Sequence, residues 1–116
     1  MIIHTTPVLS TSDLNRDLIW YQEKLGFTVA HADDMYAVLH RDQQWIHLQW
    51  HHNNASDPVH GSVVKFFVDD IQPIFQEMKQ KGLVTNDTLH LNTPWQTNEF
   101  GFYDANKNAI FFVANA

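Results

Sequence analysis

The 116-residue sequence contains no cysteine, which excludes disulfides, cysteine-based zinc sites and thiol catalysis. It has only four glycines, and because they stand apart there is no glycine-rich phosphate loop. No nucleophile elbow of the GxSxG type occurs either. The amino-terminal MIIHTTPVL lacks the basic start of a signal peptide, and no apolar run approaches the roughly 18 residues of a membrane helix. We therefore expect a cytoplasmic domain.

Basic residues are also scarce. Seven Lys plus Arg stand against 13 Asp plus Glu, which gives a formal charge of −6. This balance argues against nucleic acid or an anionic membrane as the main partner, because both favour a basic surface. It leaves room for a cationic ligand. Eight histidines are abundant by contrast, and histidine both titrates near neutral pH and binds metals.

The first half of the chain predicts a strand, a helix and three further strands. A strand over Ile2–Leu9 is followed by a helix that Ser12 caps and Gly26 ends. One face of that helix carries the periodic apolar residues Leu14, Leu18, Tyr21 and Leu25. A short strand then spans residues 27–32. Residues 36–41 and 45–51 form a hairpin around Asp42-Gln43-Gln44.

The second half repeats this order after a polar linker at residues 52–60. A strand over 62–68 precedes a helix that Asp70 caps and Gly82 closes. Its apolar face comprises Ile71, Ile74, Phe75 and Met78. A poorly patterned stretch, 83–97, leads into a last hairpin of residues 99–103 and 109–114.

The matching order indicates a duplicated βαβββ unit, spanning about residues 2–51 and 61–114, within one α+β domain. The residue identities between the halves are sparse. An ordinary α+β sandwich whose halves are alike by chance therefore stays open as the alternative.

Two groups of residues carry a family resemblance. The first group comprises Thr6-Pro7-Val8-Leu9, Asp13-Leu14, Trp20-Tyr21 and Leu25-Gly26-Phe27, and the second comprises Pro94-Trp95, Asn98-Glu99-Phe100, Asp104 and Asn108. They resemble the opening and the end of a module of the vicinal-oxygen-chelate superfamily, which includes glyoxalase I, fosfomycin-resistance enzymes, extradiol dioxygenases and bleomycin-resistance proteins. The bleomycin-resistance proteins are the most similar branch. The resemblance implies two paired modules in a cupped mixed sheet with helices outside. It also implies a homodimer that exchanges strands and binds ligand in grooves between subunits.

Enzymes of this superfamily hold a divalent metal on the first and last strand of each module. The resemblance and the spacing to Asp13 and Asp69 put these four positions on Thr6, His47, Val63 and Phe111. Only His47 is a metal-ligand type, whereas a catalytic centre usually needs three protein ligands. We therefore predict no metal and no cofactor. A shifted register that brings together His4, His47 and Glu99 stays open, and with it a metal-dependent lyase, isomerase or dioxygenase-like enzyme.

The predicted groove is aromatic and weakly polar. Alternation puts Trp45, His47 and Gln49 on one face of their strand. The full set of predicted ligand-binding residues is Tyr36, Trp45, His47, Gln49, Lys65, His90, Trp95, Phe102 and Phe111. Aromatic walls favour flat rings and cations, so we expect sequestration of a flat, cationic, antibiotic-like molecule at a dimer interface, with no catalytic residue. A domain whose aromatics only build the dimer interface is the remaining alternative.

Overall fold

The computed structural model describes residues 1–116, and it contains two α-helices and seven strands. In chain order these are β1 Val8–Thr11, α1 Leu14–Leu25, β2 Thr28–Ala32, β3 Tyr36–Arg41, β4 Gln44–Trp50, β5 Val63–Phe67, α2 Ile71–Gln80, β6 Thr97–Tyr103 and β7 Ala109–Asn115. The chain forms two compact units, residues 1–62 with 105–108, and residues 63–104 with 109–116. The α+β class predicted from the sequence is confirmed.

The first unit is a four-stranded sheet in the order β1-β4-β3-β2. β1 runs parallel to β4, whereas the other neighbours are antiparallel. Helix α1 contacts β2, β3 and β4. The core residues of this unit include Leu14, Tyr21, Leu25, Leu39, Ile46 and Leu48, each at most 5% exposed. Of the apolar face that the sequence predicted for the helix, Leu14, Tyr21 and Leu25 are buried and Leu18 is half-buried.

The ends of α1 are set by one aspartate and one glycine. The carboxylate of Asp13 accepts a hydrogen bond from the backbone N–H of Arg16 at 3.1 Å, so Asp13 is the cap and the prediction of Ser12 was wrong by one residue. The backbone N–H of Ser12 instead donates to Asn106. Gly26 has a φ of 69°, the left-handed conformation that ends helices, as predicted.

The second unit is a three-stranded sheet in the order β5-β7-β6, with β5 parallel and β6 antiparallel to β7. Helix α2 begins after Asp70, whose carboxylate accepts from the backbone N–H of Gln72 at 3.0 Å. The four apolar residues predicted to share a face are all buried. Phe75 meets Phe100 of β6 edge to face, with ring centroids 5.2 Å apart.

The second unit repeats the strand order of the first but lacks a full counterpart of β2. The stretch before β6 forms a 3-10 turn at Asn86–Thr88 and a single bridge between His90 and Glu99. Their backbones exchange two hydrogen bonds of 2.9 Å. Pro94 has no N–H to extend this ladder, and the surrounding residues lack an alternating apolar pattern. The expected strand is thus reduced to one bridged pair.

The first strand is also shorter than Ile2–Leu9. It begins at Val8, so His4 and Thr6 lie outside it. The carbonyl of Pro7 accepts from the backbone N–H of His47 at 3.0 Å, but proline has no N–H to continue the parallel ladder. The backbone before Pro7 therefore leaves the sheet.

Candidate functional site

Four of the predicted ligand-binding residues share the face of β3 and β4 that is turned away from α1. We call Tyr36, Trp45, His47 and Gln49 the first face. Strand pairing places Tyr36 opposite Gln49, and His40 opposite Trp45. The alternate residues Ile46 and Leu48 are fully buried on the other side. The structure thus brings these four side chains together.

Within the first face, the hydroxyl of Tyr36 lies 2.7 Å from Nδ1 of His47. The two rings meet edge to face with centroids 5.3 Å apart, and both side chains are half-buried. A hydrogen bond combined with ring packing fixes the orientation of the imidazole on the sheet. His47 therefore presents a hydrogen-bonding edge at a defined position.

Trp45 supplies the open aromatic surface of the first face. Its ring packs against His40 with centroids 4.7 Å apart and planes tilted by 39°. It nevertheless stays 43% exposed. An indole ring that packs against a neighbour on one side and faces solvent on the other is well suited to stack on a planar ligand ring.

The second unit has a corresponding surface, which we call the second face: Lys65, His90, Trp95, Glu99 and Phe111. Strand pairing aligns Lys65, Phe111 and Gly101 in one row across β5, β7 and β6. The Lys65 ammonium lies 5.8 Å from the centre of the Phe111 ring. A Cβ on Gly101 would lie 2.5 Å from Cδ1 of that ring, so only glycine lets the ring rest against β6.

Trp95 and Glu99 form the polar end of the second face. The indole N–H donates to Oε2 of Glu99 at 3.3 Å, and the Thr97 hydroxyl donates to the same oxygen at 2.9 Å. Trp95 is 64% exposed and follows directly on Pro94. The adjacent Gln96 has a φ of 67°. This pairing of an exposed indole with a carboxylate attracts cations through both the ring and the charge.

Phe102 does not join this surface. It pairs with Ile110, on the side of the sheet opposite to Lys65 and Phe111. Its ring lies 6.4 Å from the ring of Phe112, centroid to centroid. We expected Phe102 to line the groove. Because side chains alternate along β6, Phe102 instead lies on the same side of the sheet as the buried Phe100.

The strand register does not pair the four positions at which metal ligands were expected with one another. Val8, not Thr6, pairs with His47, and Lys65, not Val63, pairs with Phe111. Of these four paired residues only His47 suits a divalent metal, because a methyl group, a phenyl ring and an ammonium offer no lone pair. The side chains of these four paired residues therefore do not supply the ligands that a divalent metal needs.

The alternative set of His4, His47 and Glu99 is not supported either. His4 is exposed, and its Nδ1 lies 3.2 Å from the Thr6 hydroxyl. His47 and Glu99 have the partners described above. No group of three or more His, Asp or Glu side chains in the chain has the arrangement of a metal site.

Two polar clusters had no local sequence signal. The first is the nearly fully buried Asp17, which is bonded by Thr11, Arg16 and Asn106. In the second, Asp57 accepts from Nδ1 of His51 at 2.6 Å and Nδ1 of His52 at 2.9 Å. The His51 hydrogen bond, with those from the backbone and ring of His52, holds the pKa of Asp57 well below its usual range. The first cluster depends on Asn106 from a distant turn, and the second forms within the loop after β4, whose fold no apolar periodicity predicts.

Comparison with known proteins defines the family. Residues 2–112 match the model of the Glyoxalase/Bleomycin resistance protein/Dioxygenase superfamily, and the chain belongs to it. It is 26% identical over 126 aligned positions to a bleomycin resistance protein of Geobacillus stearothermophilus, covering 96% of each chain. A bleomycin resistance protein of Staphylococcus aureus strain MRSA252 matches equally. The resemblance predicted from the sequence is confirmed.

Solved structures show the same fold. A bleomycin-binding protein crystallised with bleomycin has a TM-score of 0.80 and 17% identity, with 99% of this chain and 100% of that chain covered. A bleomycin resistance determinant encoded on transposon Tn5 has a TM-score of 0.80 and 18% identity, with 98% of both chains covered. Neither helix of the present chain is long and apolar enough to cross a membrane.

Proposed function

We propose that this chain binds and sequesters a flat, cationic, antibiotic-like organic molecule without changing it chemically. The observation that carries the proposal is the first face, where the exposed Trp45 indole lies beside the fixed Tyr36–His47 pair. Stacking and hydrogen bonding hold a planar ligand, and neither requires a catalytic group. The bleomycin resistance proteins among its relatives support the same reading.

The charge of the chain supports a cationic ligand. The formal charge is −6, and on the second face the Trp95 ring lies against the Glu99 carboxylate. Sequestration needs affinity rather than a reactive centre, so it requires no metal. The paired strand positions, in which His47 is the one metal-ligand type, support a function without a metal cofactor.

We further propose that the protein is a homodimer and that each face is one wall of a groove completed by the partner subunit. Apolar side chains remain exposed on β5, with Val63 at 64% and Phe67 at 73%. In the arm before β1, Ile2 is 85% and Ile3 is 80% exposed. Covering such residues with a second copy removes apolar area from water, and an arm of this kind is suited to exchange between subunits.

Calorimetric titration with metal-free and copper-loaded bleomycin tests the proposed ligand. We expect binding at micromolar concentration, and Trp45→Ala should weaken it at least about tenfold, or about 1.4 kcal/mol. Trp20→Phe on α1 is the matched control and should leave the affinity unchanged. Absence of binding by the native protein would remove bleomycin as the ligand. Absence of thermal stabilisation by any planar cation would remove the whole class.

Elemental analysis separates this function from that of a metal-dependent lyase, isomerase or dioxygenase-like enzyme. We expect the purified protein to contain no stoichiometric Mn, Fe, Ni or Zn. A stoichiometric metal that disappears in His47→Ala would contradict sequestration as the sole function.

Sedimentation analysis tests the dimer. Phe67→Asp places a charge in the proposed interface and should shift the protein towards the monomer. Gln76→Glu, on the exposed side of α2, is the control and should sediment like the native protein. A native protein that is monomeric at all concentrations would refute the interface groove.

A further inference from the structure

Lys65 is the lysine of the second face, on the edge strand β5, and its surroundings are apolar. Val63 and Phe67 flank it on the same side of β5, and its partner across the sheet is Phe111. No carboxylate lies within ion-pair distance of its ammonium, which lies 5.8 Å from the centre of the Phe111 ring. Glu99 is the acidic residue on this face, and its Oε2 already accepts from Trp95 and Thr97.

The Phe111 ring that supports Lys65 is itself held in place. It rests against Gly101, where a side chain would collide with two of its ring carbons at 2.5 and 2.7 Å. Phe111 is half-buried, and the next residue, Phe112, packs into the core on the other side. The ring therefore keeps its position, and the lysine side chain has a fixed surface beneath it.

A ligand that covers the second face raises the free energy of the Lys65 ammonium. Exposed to water, it is fully solvated. Beneath a flat ligand it loses that water, and one cation–π contact returns only a small part of the lost solvation. Swinging the lysine out to solvent would forfeit the ring contact as well. A ligand that brings its own oxyanion offsets the lost solvation, because the pair then forms a charge-assisted hydrogen bond in surroundings that hold little water.

We propose that Lys65 forms an anion-binding subsite on the second face, which selects flat aromatic ligands that carry a carboxylate or a comparable oxyanion. This inference rests on the proposed sequestering function and specifies its ligand class. The same face attracts a cation at Trp95 and Glu99. Glu99 lies two strands across and two residues along from Lys65, so their Cα atoms are about 12 Å apart. The preferred ligand is therefore a planar molecule with opposite charges near its two ends.

Three probes of one ring system separate the contributions of charge. They are 2-naphthoate, its neutral analogue 2-naphthamide, and 2-naphthylmethylammonium, each titrated into the native protein by calorimetry at low ionic strength. We expect naphthoate to bind about tenfold or more tightly than naphthamide. In Lys65→Met this preference should disappear, whereas Lys65→Arg should retain it. Lys79→Met on the exposed side of α2 is the matched control and should behave as the native protein.

The outcomes separate this inference from the function on which it rests. A Lys65→Met protein that still prefers naphthoate would overturn the subsite. Lys65→Gln is a second uncharged variant and should lose the preference as Lys65→Met does. A native protein that binds naphthylmethylammonium or bleomycin but does not distinguish naphthoate from naphthamide overturns the subsite and leaves sequestration standing. If none of these molecules binds, both proposals fail. Urea denaturation of each variant verifies that the folded state is retained.

Discussion

The side-chain amide of Asn106 donates to the carboxylate of Asp17 at 2.6 Å, across 89 positions of sequence. Asp17 is 1% exposed on α1 and also accepts from Thr11 and from the guanidinium of Arg16. The carbonyl oxygen of the Asn106 side chain in turn accepts from the backbone N–H of Ser12 at 3.0 Å. Within the first unit, residues 105–108 are thereby bonded to α1 and to the segment before it.

Replacing Asp17 should destabilise the protein strongly. Asp17→Ala removes a buried carboxylate and leaves three donors without their acceptor, so we expect a loss of about 3 kcal/mol in the free energy of unfolding. Glu23→Ala on the exposed face of the same helix should change it by less than about 0.5 kcal/mol. Urea denaturation measures both. Equal effects of the two substitutions would show that the network contributes nothing specific.

The stability of the loop after β4 should depend on pH through Asp57. Its folded-state pKa lies below the ordinary 3.8, mainly because of the His51 hydrogen bond. The carboxylate therefore stabilises the fold above about pH 3.8, and this contribution is lost as the pH falls through the lower folded value.

Thermal unfolding of Asp57→Asn at a series of pH values checks this expectation. The difference in Tm from the native protein should narrow as the pH falls below about 3.8. Asp34→Asn, at an exposed position, provides the comparison. A difference for Asp57→Asn that stays constant into strong acid would contradict the assigned pKa shift.

Gly101→Ala should disturb both the stability and the second face. The added methyl group meets the Phe111 ring, and such overpacking costs about 1–3 kcal/mol. Combining it with Phe111→Leu should relieve the clash, so the double variant should lose less than the sum of the two single losses. A double-mutant cycle by urea denaturation measures this coupling. Strict additivity would mean that the ring moves aside freely.

Gln43→Gly should stabilise the hairpin of β3 and β4. Asp42 and Gln43 have φ values of 50° and 68°, as a two-residue turn of this hairpin requires. Glycine adopts positive φ without the steric cost that glutamine bears, so we expect a gain of about 0.5–1 kcal/mol. Gln22→Gly within α1 should instead lose about 1 kcal/mol, because glycine is unfavourable in helices. Tm values of the two variants should thus move in opposite directions.

Local patterns were sufficient to predict both helices and β3. The helical apolar faces, the Asp70 cap and the Gly26 end are all properties of neighbouring residues, and they are found where the sequence indicates. The strand β3 at Tyr36–Arg41 has the predicted bounds. The first strand was predicted too long because an apolar run does not reveal that Pro7 has no N–H for the ladder.

The sites were predictable only as far as alternation along single strands allows. It grouped Trp45, His47 and Gln49 correctly. It did not place Lys65 opposite Phe111, because the register of parallel strands depends on distant pairing rather than on either strand alone. The Asp17 network likewise depends on a residue from the far end of the chain, for which no local spacing is diagnostic.

The bond between Asn106 and Asp17 also has a consequence for the order in which the protein is made. Residues 105–108 belong to the first compact unit, although nearly all of the second unit is translated before them. During translation, the Asp17 carboxylate therefore lacks its hydrogen bond from the Asn106 amide until the chain is almost complete. The buried polar contacts of the first unit are therefore completed last, although its helix and strands are synthesised first.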